Sequence, residues 1–323
     1  MTRPPLVAIA CQGGGSHAAF TAGVLVRLLA AVNRTKYRLL GLSGTSGGAV
    51  CATLAWSGLF HSGPEEAIDR LRGFWHELGA HSPVEIWLNA WTQILLSFPV
   101  SVQASPYAYS PAAEPRLRAL LEKWVNPIGT ASRRKAPFLR LGVADVLHGG
   151  GAALDGESDE FSISDVVASA AVPPLFRAIA TRGGLWWDGL YAHNPPIRAL
   201  LDLPEKPDDP QLVRLNPRAR KQEPKTIEEI EDRRNELAGN LPLDQELATI
   251  ARINRILDLA PDLGPQLRKQ PLVVRVVEMP DLDLPYQSKL DRSPAFLADL
   301  QHAGAEAAET FFEESSVVVP AEG

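Results

Sequence analysis

Residues 38–48 read RLLGLSGTSGG, an apolar run followed directly by a cluster of small residues. Arg38 to Ser43 has the length and apolarity of a buried strand, and Ala49 to Leu59 continues as an apolar helix. Between them, Gly44-Thr45-Ser46-Gly47-Gly48 matches the pattern G-x-S-x-G at a turn from strand to helix. Small residues allow a tight turn that exposes the serine hydroxyl, so Ser46 is a candidate nucleophile. The alternative interpretation is a glycine turn capped by a serine.

A similar unit of strand, glycines and helix precedes this one. Leu6 to Cys11 predicts a short buried strand, Gly13-Gly14-Gly15 follows it, and residues 16–29 predict a helix. Three glycines can point several backbone N–H groups into one concavity, which suits a phosphate or an oxyanion. The further glycine of a dinucleotide fingerprint and the G-K-[ST] of a P-loop are both missing. The expected anion is therefore a transient one.

The alternation of strands and helices in the first 60 residues predicts a parallel sheet with helices on its faces. An amphipathic helical pattern covers residues 64–95 and is broken at Gly79 and Pro83. Further strands are predicted at residues 138–147, 212–215 and 272–277, a short helix at 164–171 and a terminal helix at 296–312. We therefore expect an α/β fold in which residues 1–323 form a single catalytic domain.

Residues 217–265 are predicted to be a helical insertion within that domain. Thr226 and Glu229 have the capping-box spacing that opens a helix, and Gly239-Asn240 would close it. A second helix is predicted after it, from apolar residues spaced for one face between Leu243 and Leu257. We expect this segment to act as a lid, a substrate-size filter or a dimer contact.

Composition excludes several classes of protein. The 323 residues are 45% hydrophobic, and 32 Lys and Arg against 38 Asp and Glu give a net charge of −6. This apolar content excludes disorder for most of the chain, and the acidic balance argues against binding nucleic acid. Two cysteines, Cys11 and Cys51, cannot form a disulfide framework or a four-thiolate zinc site.

The distribution of apolar residues predicts a cytoplasmic protein. The N-terminal apolar run is too short for a signal-peptide core. No stretch reaches the roughly 18 uninterrupted apolar residues of a membrane span. The uncharged, aromatic stretch Trp87–Tyr109 predicts either packing surface or a contact with a bilayer surface, so the protein could also be peripheral at membranes.

A serine nucleophile needs a general base, and Asp188 is the best candidate. It ends the apolar run Leu185-Trp186-Trp187 and precedes Gly189. Burial against indole rings would raise the proton affinity of the carboxylate, which suits a general base. An Asp-Gly turn between strands is the alternative. In a hydrolase with the order Ser, Asp, His, the base would instead be His193 or His302.

Four ordered elements together resemble the patatin-like phospholipase and acyl hydrolase family, which is related to cytosolic phospholipase A2. They are the glycine loop at 13–15 with Ala22-Gly23-Val24-Leu25 downstream, the serine turn at 44–48, the segment ASAAVPPLF at 168–176, and Asp188-Gly189. The resemblance covers residues 5–60 and 160–197. It implies a three-layer α/β/α fold with a mostly parallel central sheet, and no metal or organic cofactor.

The resemblance also implies the roles of the site residues. Ser46 would attack an ester carbonyl, Asp188 would take its proton, and Gly13, Gly14 and Gly15 would hold the oxyanion. Water would then release the acyl-enzyme. The family usually has Arg or Lys where this chain has His17, which carries a positive charge only when protonated. The substitution leaves a preference for anionic headgroups open.

The sequence thus predicts a serine lipid acyl hydrolase that cleaves esters of phospholipids or related lipids through a Ser-Asp dyad. The alternatives are an esterase, thioesterase or hydroxyacid-oligomer hydrolase of the same mechanism, a Ser-His-Asp hydrolase, and a non-catalytic lipid-binding relative. The expected partners are a lipid or small ester substrate and a transient membrane surface, with no nucleic acid. The oligomeric state is left open.

Overall fold

The structure is a computed structural model that describes residues 3–32, 37–96, 105–107, 113–125, 128–173, 175–264, 271–282 and 284–314. The uncharged stretch Trp87–Tyr109 is therefore described only in part, because residues 97–104, 108 and 109 lie outside this set. Pro174, in the predicted segment 168–176, also lies outside it.

The strands of the described chain form one mixed sheet with a parallel centre. They are β1 (Leu6–Cys11), β2 (Arg38–Gly44), β3 (Phe138–Asp145), β4 (Gly151–Asp155), β5 (Ile179–Thr181), β6 (Gly184–Asp188), β7 (Asp209–Arg214) and β8 (Arg275–Glu278). Their order is β5-β6-β3-β2-β1-β7-β8, with β4 paired to β3. The predicted strands are confirmed with small shifts at their ends. Strands β4, β5 and β6 were not predicted from the sequence; β4 and β6 both pair antiparallel to β3.

Helices follow most of the strands. They are α1 (Ala18–Val32), α2 (Gly47–His61), α3 (Pro64–Leu78), α4 (Pro83–Leu96), α5 (Ala113–Trp124), α6 (Thr130–Arg133), α7 (Ile163–Ser169), α8 (Ile197–Leu201), α9 (Ile227–Leu259) and α10 (Pro294–Glu314). The predicted break at Gly79 and Pro83 separates α3 from α4, as expected. A short 3₁₀ turn, Gly15–His17, connects the glycine loop to α1.

Apolar cores cover both faces of the sheet. Alternate residues of β1 point to opposite faces, as strand geometry requires. Val7 and Ile9 join the core that contains α1, α2, α3 and α10, whereas Leu6 and Ala8 join the core that contains α8 and part of α9. The fold is therefore a three-layer α/β/α sandwich around a mostly parallel sheet, as the sequence predicted.

The apolar residues of the glycine-loop helix lie inside this sandwich. Residues Gly15–Val32 are long and apolar enough to cross a membrane, with a mean hydropathy of 1.4, but 72% of them are buried in the fold. The two cysteines are buried on the same side of the sheet, and Cys51 Sγ donates a hydrogen bond to the carbonyl oxygen of Ala18 at 3.3 Å. Burial raises the pKa of Cys11, and it raises the pKa of Cys51 to about 12.

Helix α9 corrects one prediction. The capping box at Thr226 and Glu229 is present, but the helix does not end at Gly239-Asn240 and continues through Pro242 to Leu259. A glycine is needed at position 239 for space: a Cβ atom there would lie 2.8 Å from Nδ2 of Asn194. The two helices predicted here are thus parts of one continuous helix, Ile227–Leu259. Its status as an insertion within a single domain stays a prediction.

The pairing around β3 positions the site. Gly44 at the end of β2 pairs with Leu141, and Asp188 at the end of β6 pairs with Val143. Because β4 pairs with the same part of β3, it occupies the other edge, and β2 and β6 must share one edge. Their ends therefore meet head to head across Gly142.

Gly142 has no room for a side chain, so a substitution there should destabilise the protein. A Cβ atom would collide with the carbonyl oxygen of His193 and with Oγ1 of Thr45. We expect Gly142→Ala to lower the free energy of unfolding by about 1–3 kcal/mol or more in urea denaturation. Gly129→Ala is the matched control, because nothing lies within 4 Å of its Cβ position, and it should change stability by less than about 1 kcal/mol. Equal effects of the two variants would contradict this account of the strand ends.

Candidate active site

Ser46 lies at the turn between β2 and α2 in a strained backbone conformation. Its φ and ψ angles are 56° and −128°, a combination that non-glycine residues rarely adopt. Its N–H donates to the carbonyl oxygen of Ser169 at 2.9 Å, and its own carbonyl accepts from the N–H of Val50 at 3.1 Å. The side chain remains partly exposed at the N-terminus of α2. The predicted serine turn is therefore present, with the hydroxyl where a substrate can reach it.

Asp188 lies fully buried at the end of β6, beside Ser46. Its Oδ1 accepts a hydrogen bond from the N–H of Leu190 at 2.8 Å. Burial raises the pKa of Asp188 to about 7, although the Ser46 hydroxyl and the Leu190 N–H both oppose the rise. Oδ2 makes no hydrogen bond of good geometry with the described residues, although the Ser46 hydroxyl is near enough to the carboxyl to lower its pKa. Such contacts often tighten only when substrate is bound.

One loop holds the backbones of both residues. The carbonyl oxygen of Ser169 accepts from Ser46, and that of Ala171 accepts from the N–H of Asp188 at 3.0 Å. Ser169 is held in turn by its own hydroxyl, which donates to the carbonyl oxygen of Gly142 at 2.7 Å. The segment 168–176, singled out by resemblance, therefore connects the two ends of the site.

The glycine loop packs against the serine turn. A Cβ atom at Gly13 would lie 2.8 Å from Cβ of Ser46, so only glycine permits this approach. The N–H of Gly13 is buried and donates to Oδ1 of Asn194 at 2.7 Å. Gly14 and Gly15 are partly exposed residues, and their N–H groups have no hydrogen-bond partner in the described part of the chain. Gly14 and Gly15 are thus the donors still available to an anion.

Asn194 is a residue whose place in the site the sequence analysis missed. Its side chain is fully buried, and Nδ2 donates to the carbonyl oxygen of Gly239 in α9 at 3.3 Å. The preceding carbonyl, of His193, accepts from Oγ1 of Thr45 at 2.5 Å. Residues 193–194 therefore support the glycine loop and the serine turn together. The local sequence gives only a weak signal, an asparagine followed by two prolines soon after Asp188-Gly189.

Gln12 gives a second polar connection between the glycine loop and its surroundings. Its Oε1 accepts from the N–H groups of Leu215 and Asn216 at 2.8 and 3.0 Å. Its Nε2 donates to Oδ1 of Asn240 at 2.9 Å. All of these groups are buried, so the loop is held by hydrogen bonds that water does not compete for.

The sequence model of patatin-like phospholipases matches residues 9–201, which include the serine turn, the glycine loop and Asp188. The chain belongs to the patatin-like phospholipase family. A search of curated proteins finds no match.

Several solved structures are similar to this chain, with little sequence identity. VipD from Legionella pneumophila is 13% identical, with a TM-score of 0.45, and the match covers 96% of this chain and 67% of VipD. The type III effector ExoU is 13% identical, with a TM-score of 0.42 and coverages of 98% and 54%. A structure of the complex of ExoU with SpcU from Pseudomonas aeruginosa is 15% identical, with a TM-score of 0.42. The match covers 97% of this chain and 52% of that one. The chain thus spans about half the length of ExoU.

The histidines considered as bases are engaged elsewhere in this patatin-like chain. Nδ1 of His193 lies 2.7 Å from Oε1 of Glu246. His302 is 77% exposed on α10, with Nε2 at 3.2 Å from Glu306. Neither imidazole is among the groups that shift the pKa of Asp188. The geometry therefore favours the carboxylate as the group that acts on Ser46.

His17 does not replace the cation that the family usually has after the glycines. It is buried, with Nε2 at 2.7 Å from Oγ of Ser288. Burial and the charge of Lys289 lower its pKa to about 3, so the imidazole is neutral at pH 7. Lys289 itself passes beside the loop, since a Cβ atom at Gly15 would collide with its carbonyl oxygen. Its ammonium group donates to Oδ1 of Asn216 at 3.1 Å.

A cavity beside α9 is separate from the candidate active site, and the described residues form no metal centre. Among the described residues, no group of three or more His, Cys, Asp and Glu side chains could hold a metal ion. A cavity of about 1030 Å³ lies between α8 and the second half of α9, where Leu201, Ile250 and Leu257 contribute to its walls. Neither Ser46 nor Asp188 lines this cavity, so it is separate from the candidate active site.

The raised pKa of Asp188 predicts a pH-dependent cost to stability. The ordinary pKa of an aspartate is 3.8, and that of Asp188 in the folded protein is about 7. Its contribution to the free energy of unfolding is therefore most favourable below pH 3.8 and is lost as pH rises through 7. Asp188→Asn keeps an acceptor for the N–H of Leu190 but removes the buried charge. We expect this variant to gain stability over the wild type between about pH 4 and about pH 7, with a constant difference above that range. Urea denaturation at several pH values measures the free energy of unfolding of both proteins. A difference between them that does not change with pH would contradict the raised pKa.

Proposed function

We propose that this patatin-like chain is a serine hydrolase of lipid carboxylic esters that uses Ser46 and Asp188 as a catalytic dyad. The observation that carries the proposal is the buried carboxylate of Asp188 beside the partly exposed Ser46, with one carboxylate oxygen that has no hydrogen-bond partner among the described residues. A base with a pKa near 7 is well matched to proton transfer at neutral pH.

The first half of the reaction forms an acyl-enzyme. Oγ of Ser46 attacks the ester carbonyl carbon while its proton passes to Oδ2 of Asp188. The carbonyl oxygen becomes an oxyanion, which the N–H groups of Gly14 and Gly15 stabilise together with the N-terminal dipole of α2. Collapse of the intermediate breaks the ester C–O bond, and the departing alcohol takes the proton from Asp188.

The second half repeats these steps with water. Asp188, again ionised, accepts a proton from a water molecule that attacks the acyl carbonyl. The same N–H groups hold the second oxyanion, and its collapse returns the proton to Ser46 and releases the carboxylic acid. In this scheme Gly13 positions the loop through Asn194 and donates no hydrogen bond to the substrate.

A fluorophosphonate probe tests whether Ser46 is activated. We expect the purified protein to be labelled on Ser46, as located by mass spectrometry, and Ser46→Ala to be unlabelled. Ser62→Ala, which alters an exposed serine at the end of α2, is the control and should label like the wild type. Rates on p-nitrophenyl esters should also rise with acyl length, since each buried CH₂ is worth about 0.8 kcal/mol. Absence of labelling on folded protein would contradict the proposal.

The pH dependence of hydrolysis tests the role of Asp188. Because the base must be ionised, kcat/KM on a soluble p-nitrophenyl ester should rise with pH, with an apparent pKa of about 7, and then level off. Asp188→Asn should lower kcat by about 10²–10⁴-fold or more while the protein stays folded. His193→Ala and His302→Ala should each retain most of the activity. A fully active Asp188→Asn, or an inactive histidine variant, would favour a different base.

A further inference from the structure

The first half of α9 has its polar and apolar sides reversed. A helix on a globular protein normally buries its apolar side and exposes its charges. In α9, Asp232, Glu236 and Asn240 face inward and are 7%, 4% and 4% exposed. Ile230 and Leu241, by contrast, are 50% and 54% exposed. The helix therefore presents its large apolar side chains to the outside.

Hydrogen bonds and ion pairs fix this orientation. Arg220 forms ion pairs with Asp232 and Glu236, and the guanidinium of Arg233 also contacts Glu236, at 2.9 Å. Asn240 is bonded to Gln12 of the glycine loop. A rotation of α9 that buried its apolar side would break these contacts and leave charges unpaired. The exposure of the apolar side is thus built into the fold.

The outward side of α9 combines apolar and cationic residues. At 3.6 residues per turn, one line along the helix opposite its buried side carries Ile227, Ile230, Arg234, Leu237, Leu241, Gln245, Ala248, Arg252, Arg255 and Leu259. We call this line the outer face of α9. It contains three arginines and no acidic residue, although the whole chain has a net charge of −6. Glu231, which lies 3.9 Å from Arg234, stands on its flank.

The outer face lies close to the candidate active site. Gly239, on the inward side of the same helix, packs against Leu190, two residues after Asp188. Tyr191 is 53% exposed, and the guanidinium of Arg234 is near enough to oppose the rise that burial causes in its pKa. A surface that covers the outer face would therefore also approach the entrance to Ser46.

We propose that the outer face of α9 docks the protein on an anionic lipid surface. Exposed apolar side chains interleaved with arginines are the composition of helices that lie in the interface of a bilayer. The apolar side chains of the outer face would enter the boundary between headgroups and acyl chains. Arg234, Arg252 and Arg255 would contact the lipid phosphates. This inference rests on the proposed function, which gives the site a lipid substrate, and it specifies how such a substrate is approached.

Vesicle binding by an inactive protein tests the docking surface apart from catalysis. Ser46→Ala should sediment with phosphatidylcholine vesicles that contain phosphatidylserine, more weakly with phosphatidylcholine alone, and more weakly in high salt. Adding Ile227→Asp and Ile230→Asp should weaken binding by about tenfold or more, given the transfer free energy of two large apolar side chains. Arg252→Glu with Arg255→Glu should remove the preference for phosphatidylserine.

The matched control is Val84→Asp with Ile86→Asp, which places the same charges on the exposed apolar residues of α4. This control should bind vesicles like its parent. On the Ser46 background, all three double variants should hydrolyse a short soluble p-nitrophenyl ester at the wild-type rate, which shows that the site is intact. If the proposed function is wrong, the protein will not hydrolyse the soluble ester. If only the docking surface is wrong, hydrolysis will be normal and vesicle binding will not depend on the outer face of α9.

Three results would overturn the inference. The first is absence of vesicle binding by Ser46→Ala, or binding that the α9 substitutions leave unchanged. The second is loss of binding in the α4 control, which would assign the membrane contact to α4. The third is a dimer, seen by light scattering, that Ile227→Asp with Ile230→Asp dissociates without changing vesicle binding. That result would make a second copy of this chain the occupant of the outer face.

Discussion

The head-to-head meeting of β2 and β6 along one edge of β3 is the constraint on which the site depends. It brings Ser46, just after β2, next to Asp188 at the end of β6. Asp188 is fully buried there, whereas Ser46 stays partly exposed. Such a junction tolerates no side chain at Gly142, because the turns after both strands cross it. The strained angles of Ser46 and the buried charge of Asp188 both cost stability, and the two apolar cores offset that cost.

Hydrogen bonds connect Ser46, Asp188 and the glycine loop to the surrounding fold. Each half of the site is tied by backbone hydrogen bonds to the loop at 169–171, and the glycine loop is tied by Gln12 and Asn194. A hydrogen-bond donor that is already oriented when an oxyanion forms loses no free energy to reorganisation. In the proposed reaction, the buried amide side chains of Gln12 and Asn194 would act without touching the substrate, by holding the glycine loop in position.

Local patterns were enough to find Ser46, the glycine loop and the parallel sheet, since strand, turn and helix follow each other within 60 residues. Asp188 could be singled out because an apolar run ended in a carboxylate, although its pairing with Val143 could not be foreseen. Asn194 was missed because its partner, Gly13, lies 181 residues away in the sequence. Gly239 was misinterpreted as a helix end for a related reason: its small size serves a long-range contact with Asn194, and not the local backbone.

The burial of both cysteines has a practical consequence for labelling chemistry. Thiols react with maleimides and iodoacetamides as thiolates, and Cys11 and Cys51 are kept protonated and shielded from reagents. The two native thiols therefore do not react with such reagents while the protein is folded. A single cysteine placed on an exposed helix can carry a fluorophore or a spin label with the natural pair left in position. Reactivity of the native thiols then becomes a direct report on unfolding.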